Sequence, residues 1–448
     1  MSNLITVDLI ITARWMVPVI PAETVLTDHS VLINEGEIVA IMPSADVDSS
    51  YVLSENGKRW DLKDHILIPG LINSHGHTPM SLLKGYADDK ALKTWLEDHI
   101  WPAEGQHVSA QFVEDGTKLS MAEMIKNGTT CFADMYFFPE VSAKACESAG
   151  MRAQITIPVM DFPTAWASGP EEYFSKGEVV LDTFKDSELV TIGFGPHAPY
   201  TVSDGPIKDI VRLAEKWQAP IQIHLHETAF EVEEAIKTLG QRPTERLRDL
   251  GLLTPSTQCV HMTEIDDTDI AILQESGAHV VHCPESNLKL ASGFCPVDKL
   301  QSSGINVALG TDGSASNNDL DMLGEMRTAA MLAKAVSKNA EALSAHKALE
   351  MATMNGAKAL GISHLVGSLE VGKQADLCAI AMSDLALQPI YHPISQLVYC
   401  NNSHNVSHVW VNGKALLADR ALQTLDEQEV TASAVRWGEA ISASANND

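Results

Sequence analysis

Hydrophobic and polar residues alternate in blocks through the middle of the chain, and this pattern predicts repeated strand–helix units. Eight short apolar runs are bounded by turn residues and separated by stretches with the periodicity of amphipathic helices. A TIM barrel has eight parallel strands that alternate with helices, so this count predicts that fold. The predicted strands cover residues 71–75, 129–133, 152–158, 191–195, 221–226, 258–261, 279–283 and 305–310.

Three of the helical stretches are each followed by a glycine, the residue favoured immediately after a helix end. The alternative to a barrel is a doubly wound open sheet, which needs a phosphate-binding glycine loop after a strand. No G-x-G-x-x-G pattern follows a predicted strand. The three helices cover residues 110–127, 139–149 and 230–239.

Both ends of the chain are rich in short strands, with strong turn signals at 34–37 and at Asn412-Gly413. We therefore expect one small β-sandwich domain built from the N- and C-terminal segments, with the barrel inserted between them. The sequence thus predicts an α/β fold. The expected limits are 1–65 for the first part of the sandwich, 66–364 for the TIM barrel, and 365–448 for the second part and a C-terminal tail.

The stretch HILIPGLINSHGHTP, residues 65–79, joins a nearly continuous apolar run to two histidines. Such a run fits a strand that is buried on both faces. His75 and His77 are two positions apart, so in extended backbone both imidazoles project to the same face and can converge on one metal ion.

Further polar residues follow the other predicted strands, at the end of a barrel where catalytic groups lie. Three histidines and one aspartate suit a borderline divalent ion such as Zn²⁺, which activates water at neutral pH. Asp312 is the expected ligand and acceptor of the water proton, and Glu227 the expected shuttle to the substrate. His224 and His226 share one face of a strand, so spacing leaves both open as ligands. The residues at strand ends are His75, His77, His197, His224, His226, Glu227, His261 and Asp312.

Composition excludes several classes of partner. The formal net charge is −28, and no Lys/Arg cluster offsets it, which disfavours binding to nucleic acid. Seven cysteines without a C-x-x-C pair indicate reduced thiols, so we expect a cytoplasmic protein. The apolar N-terminus contains Asp8 and Arg14 and lacks a basic n-region, and no apolar run is long enough to span a bilayer. We therefore expect neither a signal peptide nor a membrane partner.

The motifs PGLINSHGHT, FGPHAPYT, HLHE, HCPESNLKLASG and GTDGSASNN occur in this order along the chain. Their order and spacing resemble the amidohydrolase superfamily, and more narrowly the 5′-methylthioadenosine/S-adenosylhomocysteine deaminases and the related triazine chlorohydrolases. The resemblance covers essentially the whole chain. It implies one divalent ion, Zn²⁺, bound by His75, His77, His224 and Asp312, and it favours His224 over His226.

The resemblance also implies the roles of the remaining site residues. Glu227 would protonate the ring nitrogen beside the attacked carbon, and His261 would hydrogen-bond the attacking hydroxide. His197 would contact the purine. Trp95 resembles the aromatic wall of the nucleoside pocket, and Glu104 resembles the acid that binds the ribose diol with paired acceptors.

Several of these assignments have alternatives. Glu97 competes with Glu104 for the diol, and Trp95 and Trp101 are also consistent with core aromatics. His282 fits either a core histidine or a site residue.

One departure from the family pattern concerns the 5′ substituent of the substrate. Deaminases that accept S-adenosylhomocysteine are expected to carry arginines after the third strand, but the chain has none between Arg152 and Arg212. Lys176 and Lys185 lack the bidentate guanidinium fork. An apolar tail needs no such partner, and we expect an apolar wall around it that consists of Met160, Phe162, Pro163 and Trp166.

The expected function is therefore metal-dependent deamination of an adenine nucleoside at C6. 5′-Methylthioadenosine is the preferred substrate, giving 5′-methylthioinosine and ammonia, with adenosine or S-adenosylhomocysteine as further substrates. The alternatives are a guanine deaminase, a triazine-type chlorohydrolase, or an inactive amidohydrolase-like binding protein. The expected partner is a small purine nucleoside, and homo-oligomers are common among such barrels.

Overall fold

The computed structural model describes residues 4–400 and 402–445, and its strands form two eight-stranded sheets. The strands are β1 (Ile5–Met16), β2 (Leu26–Asn34), β3 (Glu37–Pro43), β4 (Tyr51–Pro69), β5 (Leu71–Asn73), β6 (Thr129–Met135), β7 (Arg152–Val159), β8 (Val190–Pro196), β9 (Ile221–Leu225), β10 (Thr257–His261), β11 (His279–His282), β12 (Val307–Leu309), β13 (Leu377–Ala381), β14 (Val406–Val411), β15 (Lys414–Ala418) and β16 (Ala421–Leu422).

The first sheet is a nearly closed parallel barrel. Strands β5 to β12 lie side by side in chain order, and each neighbouring pair is parallel. Just after β5, the backbone N–H of Ser74 donates to the carbonyl of Leu309 in β12 over 2.8 Å, which brings the first and last strands together. The predicted TIM barrel is confirmed, with strand ends that differ from the prediction by one or two residues.

The second sheet is mixed and comes from both ends of the chain, as predicted. Its order is β16-β15-β14-β13-β4-β1-β2-β3, so strands from the C-terminal segment pair directly with β4. The two predicted tight turns are confirmed. Glu35 and Gly36 have φ of 50° and 83°, and Asn412 and Gly413 have φ of 49° and 71°. Positive φ at both central positions is the signature of a type I′ hairpin turn.

The apolar run of residues 66–72 is divided between the two sheets, which differs from the single strand read in the sequence. Strand β4 ends at Pro69 in the mixed sheet, and β5 begins the barrel at Leu71. Gly70 makes this crossing possible, because a Cβ at this position would lie 2.0 Å from Oγ1 of Thr130. The limits of the two structural units stay a prediction.

Helices surround the barrel, and the three predicted from the sequence are confirmed within one residue at each end. The helices are α1 (Val47–Ser50), α2 (Leu92–Thr94), α3 (Trp101–His107), α4 (Ala110–Lys126), α5 (Pro139–Ala149), α6 (Pro170–Phe184), α7 (Asp204–Trp217), α8 (Ala229–Leu239), α9 (Pro243–Asp249), α10 (Asp267–Ser276), α11 (Pro284–Lys289), α12 (Val297–Ser302), α13 (Ser314–Asn317), α14 (Met322–Ser337), α15 (Ala345–Met351), α16 (Met354–Ala359), α17 (Pro393–Tyr399) and α18 (Glu427–Ala445), with a π-helical turn at Trp95–Ile100 and 3₁₀ turns at Ser44–Asp46, Thr78–Leu83, Leu385–Leu387 and Ser403–Asn405.

A buried ion pair joins the two sheets. Arg152 at the start of β7 contacts both carboxylate oxygens of Asp376, through Nε at 2.9 Å and Nη2 at 3.2 Å. Asp376 also accepts the backbone N–H of Asn412 in the hairpin of the mixed sheet. The side chains of Arg152 and Asp376 expose only 4% and 2% of their surface, so neither charge has water as a substitute partner.

Within residues 4–400 and 402–445, no helix combines the length and the apolar character that crossing a bilayer requires.

Candidate metal centre and active site

Four side chains converge at the carboxyl ends of three barrel strands. His75 and His77 follow β5, His224 lies in β9, and Asp312 follows β12. One potential ligand atom from each residue lies within 4.8 Å of the others. Parallel strands bring their carboxyl ends to one rim of a barrel, which is why residues from such distant parts of the sequence meet here.

The Nδ1 atom of each of the three histidines faces an oxygen that can only accept a hydrogen bond. His75 Nδ1 lies 2.7 Å from Oε1 of Gln222, His77 Nδ1 lies 2.6 Å from the carbonyl of Met135, and His224 Nδ1 lies 2.7 Å from the carbonyl of His197. Each Nδ1 therefore carries the proton and leaves the lone pair on Nε2. This is the arrangement that a metal-binding histidine requires.

The distances between the ligand atoms fit a small cation. Nε2 of His75 lies 3.2 Å from Nε2 of His224, and Oδ1 of Asp312 lies 3.4 Å from His75 Nε2 and 3.2 Å from His77 Nε2. Ligand atoms about 2.0–2.2 Å from a tetrahedral ion are about 3.3–3.6 Å apart. The four residues form a His₃–Asp metal site.

The local electrostatics favour a positive charge at this point. Burial lowers the pKa of His75 and of His224, so these rings are neutral. At His77 the neighbouring Asp312 carboxylate outweighs burial and raises the pKa to about 9. A proton and a metal cation compete for the same lone pair, so a bound cation would supply the charge that the carboxylate attracts.

Asp312 is held by three donors other than histidine. The hydroxyls of Ser286 and Ser316 donate to Oδ2 over 2.7 and 3.1 Å, and the backbone N–H of Gly313 donates to Oδ1 over 2.8 Å. Asp312 itself has a positive φ of 62°, which turns its side chain into the barrel mouth. The carboxylate is thus fixed in position.

His226 lies outside the group of side chains that could hold one metal ion. The residue has a φ of 51° instead of an extended conformation, so its side chain does not follow His224 to the same face. Its Nδ1 lies 3.0 Å from the carbonyl of Glu264, and its Nε2 accepts the N–H of Thr244 over 3.4 Å. Both ring nitrogens are occupied away from the metal site.

Glu227 and His261 lie beside the metal site. Burial, reinforced by the charge of Asp312, raises the pKa of Glu227 to about 8, so this carboxyl group is protonated at neutral pH. Burial lowers the pKa of His261, whose Nδ1 lies 2.8 Å from Oδ1 of Asn287. Its Nε2 lies 3.9 Å from Oε2 of Glu227. A protonated carboxyl group and a neutral imidazole therefore lie close together.

A cavity of about 210 Å³ is lined by nearly all the site residues that were predicted from the sequence. Trp95 is buried and lines it, although Trp95 also packs in a local apolar cluster. It begins the π-helical turn at Trp95–Ile100, a distortion that is frequent at functional sites. His75 is fully buried behind the cavity wall. The cavity is lined by His77, Trp95, Glu104, His197, His224, Glu227, His261 and Asp312, among others.

Glu104, and not Glu97, lines this cavity. It is buried, and the hydroxyl of Tyr136 donates to its Oε1 over 2.6 Å. Burial raises the pKa of Glu104 to about 7, against the opposing effect of that hydrogen bond. Glu97 is exposed, pairs with Lys93 at 3.9 Å and lines a neighbouring cavity instead of this one.

Two further histidines have different surroundings. His197 lines the cavity, with Nδ1 3.1 Å from Oγ1 of Thr201, and burial together with His77 lowers its pKa to about 4. A neutral ring thus faces the cavity. His282 is buried outside the set of lining residues, and burial lowers its pKa to about 3, which fits a core histidine.

The apolar wall expected for the 5′ substituent is present, except for Trp166. Met160, Phe162 and Pro163 line the cavity together with Trp101, whose ring centroid lies 6.5 Å from that of Phe162. The assignment of Trp166 to this wall was wrong. Its ring packs against Tyr173, and its indole N–H donates to Glu140, because the loop after β7 turns it towards the helices.

No arginine or lysine lines the cavity in the described part of the chain. Lys176 pairs with Glu172 at 2.7 Å, and Lys185 pairs with Asp182 at 2.8 Å, both on the outside of α6. Neither lysine can therefore serve as the partner of a substrate carboxylate without leaving its present contact.

Sequence reasoning missed the residues that hold the site residues in place. Gln222 is one, and its position two residues before His224 on the same strand face is a signal that could have found it. Ser286 and Asn287 lie inside the HCPESNLKLASG motif, but received no role. Tyr136 follows the second barrel strand directly, where polar residues are expected.

The barrel and the His₃–Asp site at its C-terminal rim define a metal-dependent hydrolase architecture. Residues 66–416 match the model of the amidohydrolase family. The chain belongs to the amidohydrolase family.

The chain is similar over its full length to proteins with assigned activities. It is 55% identical, over 98% of this chain and 97% of the relative, to the 5-methylthioadenosine/S-adenosylhomocysteine deaminase of Saccharophagus degradans. The crystal structure of an adenosine deaminase from Xanthomonas campestris with bound zinc superposes with a TM-score of 0.96 at 46% identity, covering 98% of this chain and 100% of that one.

A more distant structure shares the fold. The atrazine chlorohydrolase of Arthrobacter aurescens, complexed with zinc, has a TM-score of 0.88 at 21% identity, over 96% of this chain and 99% of that one.

Proposed function

We propose that the protein deaminates an adenine nucleoside at C6, and that 5′-methylthioadenosine is its preferred substrate, with 5′-methylthioinosine and ammonia as products. One observation carries the proposal: a single cavity is lined by three of the four metal-site residues, by the protonated acid Glu227 and by the buried Glu104. The name of the Saccharophagus degradans relative supports the same substrate class.

The metal proposed for the site is one Zn²⁺ ion. Three imidazole nitrogens and one carboxylate oxygen are a donor set that suits this ion, and His75, His77, His224 and Asp312 would hold it. The zinc in the Xanthomonas campestris structure supports this choice. When bound, the ion acts as a Lewis acid that makes water nucleophilic at neutral pH.

The chain's own residues move the protons. The Asp312 carboxylate accepts a proton from the attacking water, while Nε2 of His261 hydrogen-bonds the attacking oxygen. Glu227 gives its proton to ring nitrogen N1 as the C6–O bond forms. The proton on Asp312 then passes to the amino group, the C6–N bond breaks, and ammonia leaves. Glu227 recovers a proton from the added hydroxyl group as the carbonyl forms.

Glu104 is proposed to bind the ribose. Its carboxylate can accept hydrogen bonds from the neighbouring 2′- and 3′-hydroxyls, which present two donors side by side. Tyr136 donates to only one of its oxygens, so acceptor capacity remains for the diol. Trp95 and His197 would then flank the adenosine portion of the substrate.

The 5′ substituent is proposed to be apolar. The wall built from Trp101, Met160, Phe162 and Pro163 suits a methylthio group, whose burial needs no polar partner. The α-amino acid tail of S-adenosylhomocysteine would instead bring a carboxylate into a cavity without a lining cation, and an unpaired buried charge is costly.

Ammonia release from the zinc-loaded protein, or chloride release when the substrate is the chlorotriazine, tests the proposal. The kcat/KM values for 5′-methylthioadenosine, S-adenosylhomocysteine, adenosine, guanine and a chlorotriazine are compared. We expect 5′-methylthioadenosine to lead and S-adenosylhomocysteine to trail about 100-fold, or about 2.7 kcal/mol of transition-state stabilisation.

Substitution of the diol-binding acid separates the nucleoside from the alternative substrates. Glu104→Ala should raise KM for nucleosides strongly and leave turnover of guanine or a triazine unchanged, because these have no ribose. Glu97→Ala is the matched control on the exposed side of the turn. Guanine as the best substrate, or equal effects of the two substitutions, would contradict the nucleoside pocket.

A further inference from the structure

The side chain of Glu231 forms hydrogen bonds with the backbone of the turn that contains Glu227. Its Oε1 accepts the backbone N–H of His226 and its Oε2 accepts the backbone N–H of Glu227, each over 2.9 Å. The carboxyl group is buried, with 7% of the residue exposed, so these two peptide groups are its principal partners. One side chain thus holds two successive peptide groups at the end of β9.

This contact differs from ordinary helix capping. Thr228 is the N-cap of α8, and its hydroxyl accepts the N–H of Glu231 over 3.4 Å, which is half of a capping box. In a complete box the Glu side chain would return to the N–H of Thr228. Here it reaches further back, to the two residues that precede the cap, so helix capping alone does not account for it.

The carbonyl groups of the same two residues are held from another strand end. Oγ1 of Thr263, just after β10, donates to the carbonyl of Glu227 over 2.8 Å and lies 3.1 Å from that of His226. The backbone N–H of Thr263 also donates to the carbonyl of His226 over 3.0 Å. The peptide groups around Glu227 are therefore fixed from the N–H side by Glu231 and from the carbonyl side by Thr263.

These hydrogen bonds are needed because the turn has an unusual backbone conformation. His226 has a φ of 51°, which L residues rarely adopt without support from their surroundings. This conformation interrupts the strand after His224 and directs the next side chain, Glu227, into the cavity beside His261. A relaxed turn would return residue 226 to the strand face and move residue 227 away.

We propose that Glu231 is a positioning residue, whose bidentate contact with the peptide groups of His226 and Glu227 sets the place of the proton donor. The inference rests on the proposed role of Glu227. Glu231 is not among the residues that line the cavity, and the ribose and 5′ ends of the cavity are formed by other elements. Its loss should therefore slow the chemical step and leave substrate binding nearly unchanged.

The test is a double-mutant cycle with Glu231→Gln and Glu227→Gln, measured as kcat and KM for 5′-methylthioadenosine in zinc-loaded protein. A glutamine at 231 keeps the shape but presents an NH₂ group to one of the two backbone N–H groups, which breaks the bidentate contact. Glu233→Gln is the matched control, because it makes the same Glu-to-Gln change at an exposed position of the same helix.

We expect Glu227→Gln to lower kcat about 100-fold or more. Glu231→Gln should lower kcat about tenfold, with KM within about threefold and zinc content unchanged, and Glu233→Gln should match the wild type. In the Glu227→Gln background, adding Glu231→Gln should change kcat less than about twofold, because a residue that acts only through Glu227 has nothing left to position.

Two results overturn the inference: wild-type kcat in Glu231→Gln, or a further tenfold loss in the Glu227→Gln background, which would show independent action. If Glu231→Gln does not fold, Glu231→Asp replaces it in the same cycle, because a carboxyl group one methylene shorter cannot reach both backbone N–H groups. An unimpaired Glu227→Gln would instead overturn the proposed acid, and so separates failure of the function from failure of the inference.

Discussion

The Oε1 atom of Gln222 lies 2.7 Å from Nδ1 of His75, deep in the barrel, and thereby decides which nitrogen of that histidine faces the metal site. The amide group of Gln222 is itself oriented, because its Nε2 donates to the carbonyl of Ser74 and to Oε1 of Gln258. The orientation of one ligand thus depends on a network that extends across neighbouring strands.

Gln222→Leu should weaken metal binding about 10–100-fold, because the ring of His75 loses the acceptor that fixes its tautomer. Titration of the zinc-loaded protein with a competing chelator measures the change. Gln154→Leu is the control: Gln154 is buried in the same network, but it contacts Gln258 and not His75. Equal affinities in the two variants would contradict this role of Gln222.

His224→Ala should lose the metal, whereas His226→Ala should retain it. The first substitution removes a ligand, and the second removes a ring whose two nitrogens bond to the carbonyl of Glu264 and the N–H of Thr244. Zinc per folded chain, measured by elemental analysis after gel filtration, distinguishes the two. Metal loss in both variants would place His226 in the site.

The spacing of His224 and His226 could not decide between them, so that only the family resemblance favoured His224, and the reason lies in the backbone. Alternation along a strand predicts a shared face, whereas the left-handed conformation of His226 ends the alternation. The sequence pattern also did not reveal that residues 66–72 are divided between two sheets. An apolar run shows burial, but not which sheet buries it.

Local signals performed better where one residue type determines the geometry. Gly36 and Gly413 marked type I′ turns, and glycines marked the ends of α4, α5 and α8. The position of Trp166 and the contacts of Gln222 depend on packing between distant segments, which no short-range pattern records.

The KM for 5′-methylthioadenosine should rise as the pH falls below about 7. The pKa of Glu104 is about 7, and only the ionised carboxylate presents paired acceptors to the diol. If only that form binds, KM increases about tenfold between pH 8 and pH 6. KM for 2′,3′-dideoxyadenosine, which lacks the diol, should stay nearly constant and serves as the control.

Tyr136→Phe should move this rise in KM to higher pH. The hydroxyl of Tyr136 donates to Glu104 and lowers the pKa of that carboxyl group, so its removal raises the pKa further. The pH dependence of KM is measured for both proteins. An unchanged or downward shift would show that another group governs binding.

The kcat for deamination should fall above about pH 8. Glu227 acts in its protonated form, its pKa is about 8, and the active fraction therefore decreases about tenfold between pH 7 and pH 9. Steady-state rates at saturating substrate measure the effect. A kcat that stays constant to pH 9.5, with zinc still bound, would assign the proton donation to a different group.

Arg152→Met should destabilise the fold by about 3–5 kcal/mol, because it leaves the buried Asp376 carboxylate without its cation. Urea unfolding followed by circular dichroism gives the free energy of unfolding. Lys185→Met breaks an exposed pair with Asp182 and should change stability by less than about 0.5 kcal/mol. Similar losses in both variants would mean that burial does not distinguish the two pairs.

The order of strands in the mixed sheet has a consequence for biosynthesis. Strand β4 pairs on one side with β1, but its other partner, β13, begins only at Leu377. At about 5–20 residues per second, the roughly 300 intervening residues take about 15–60 s to emerge from the ribosome. During that interval the nascent chain carries an open strand edge, the kind of surface that invites aggregation. Chains that terminate before Leu377 keep this edge permanently.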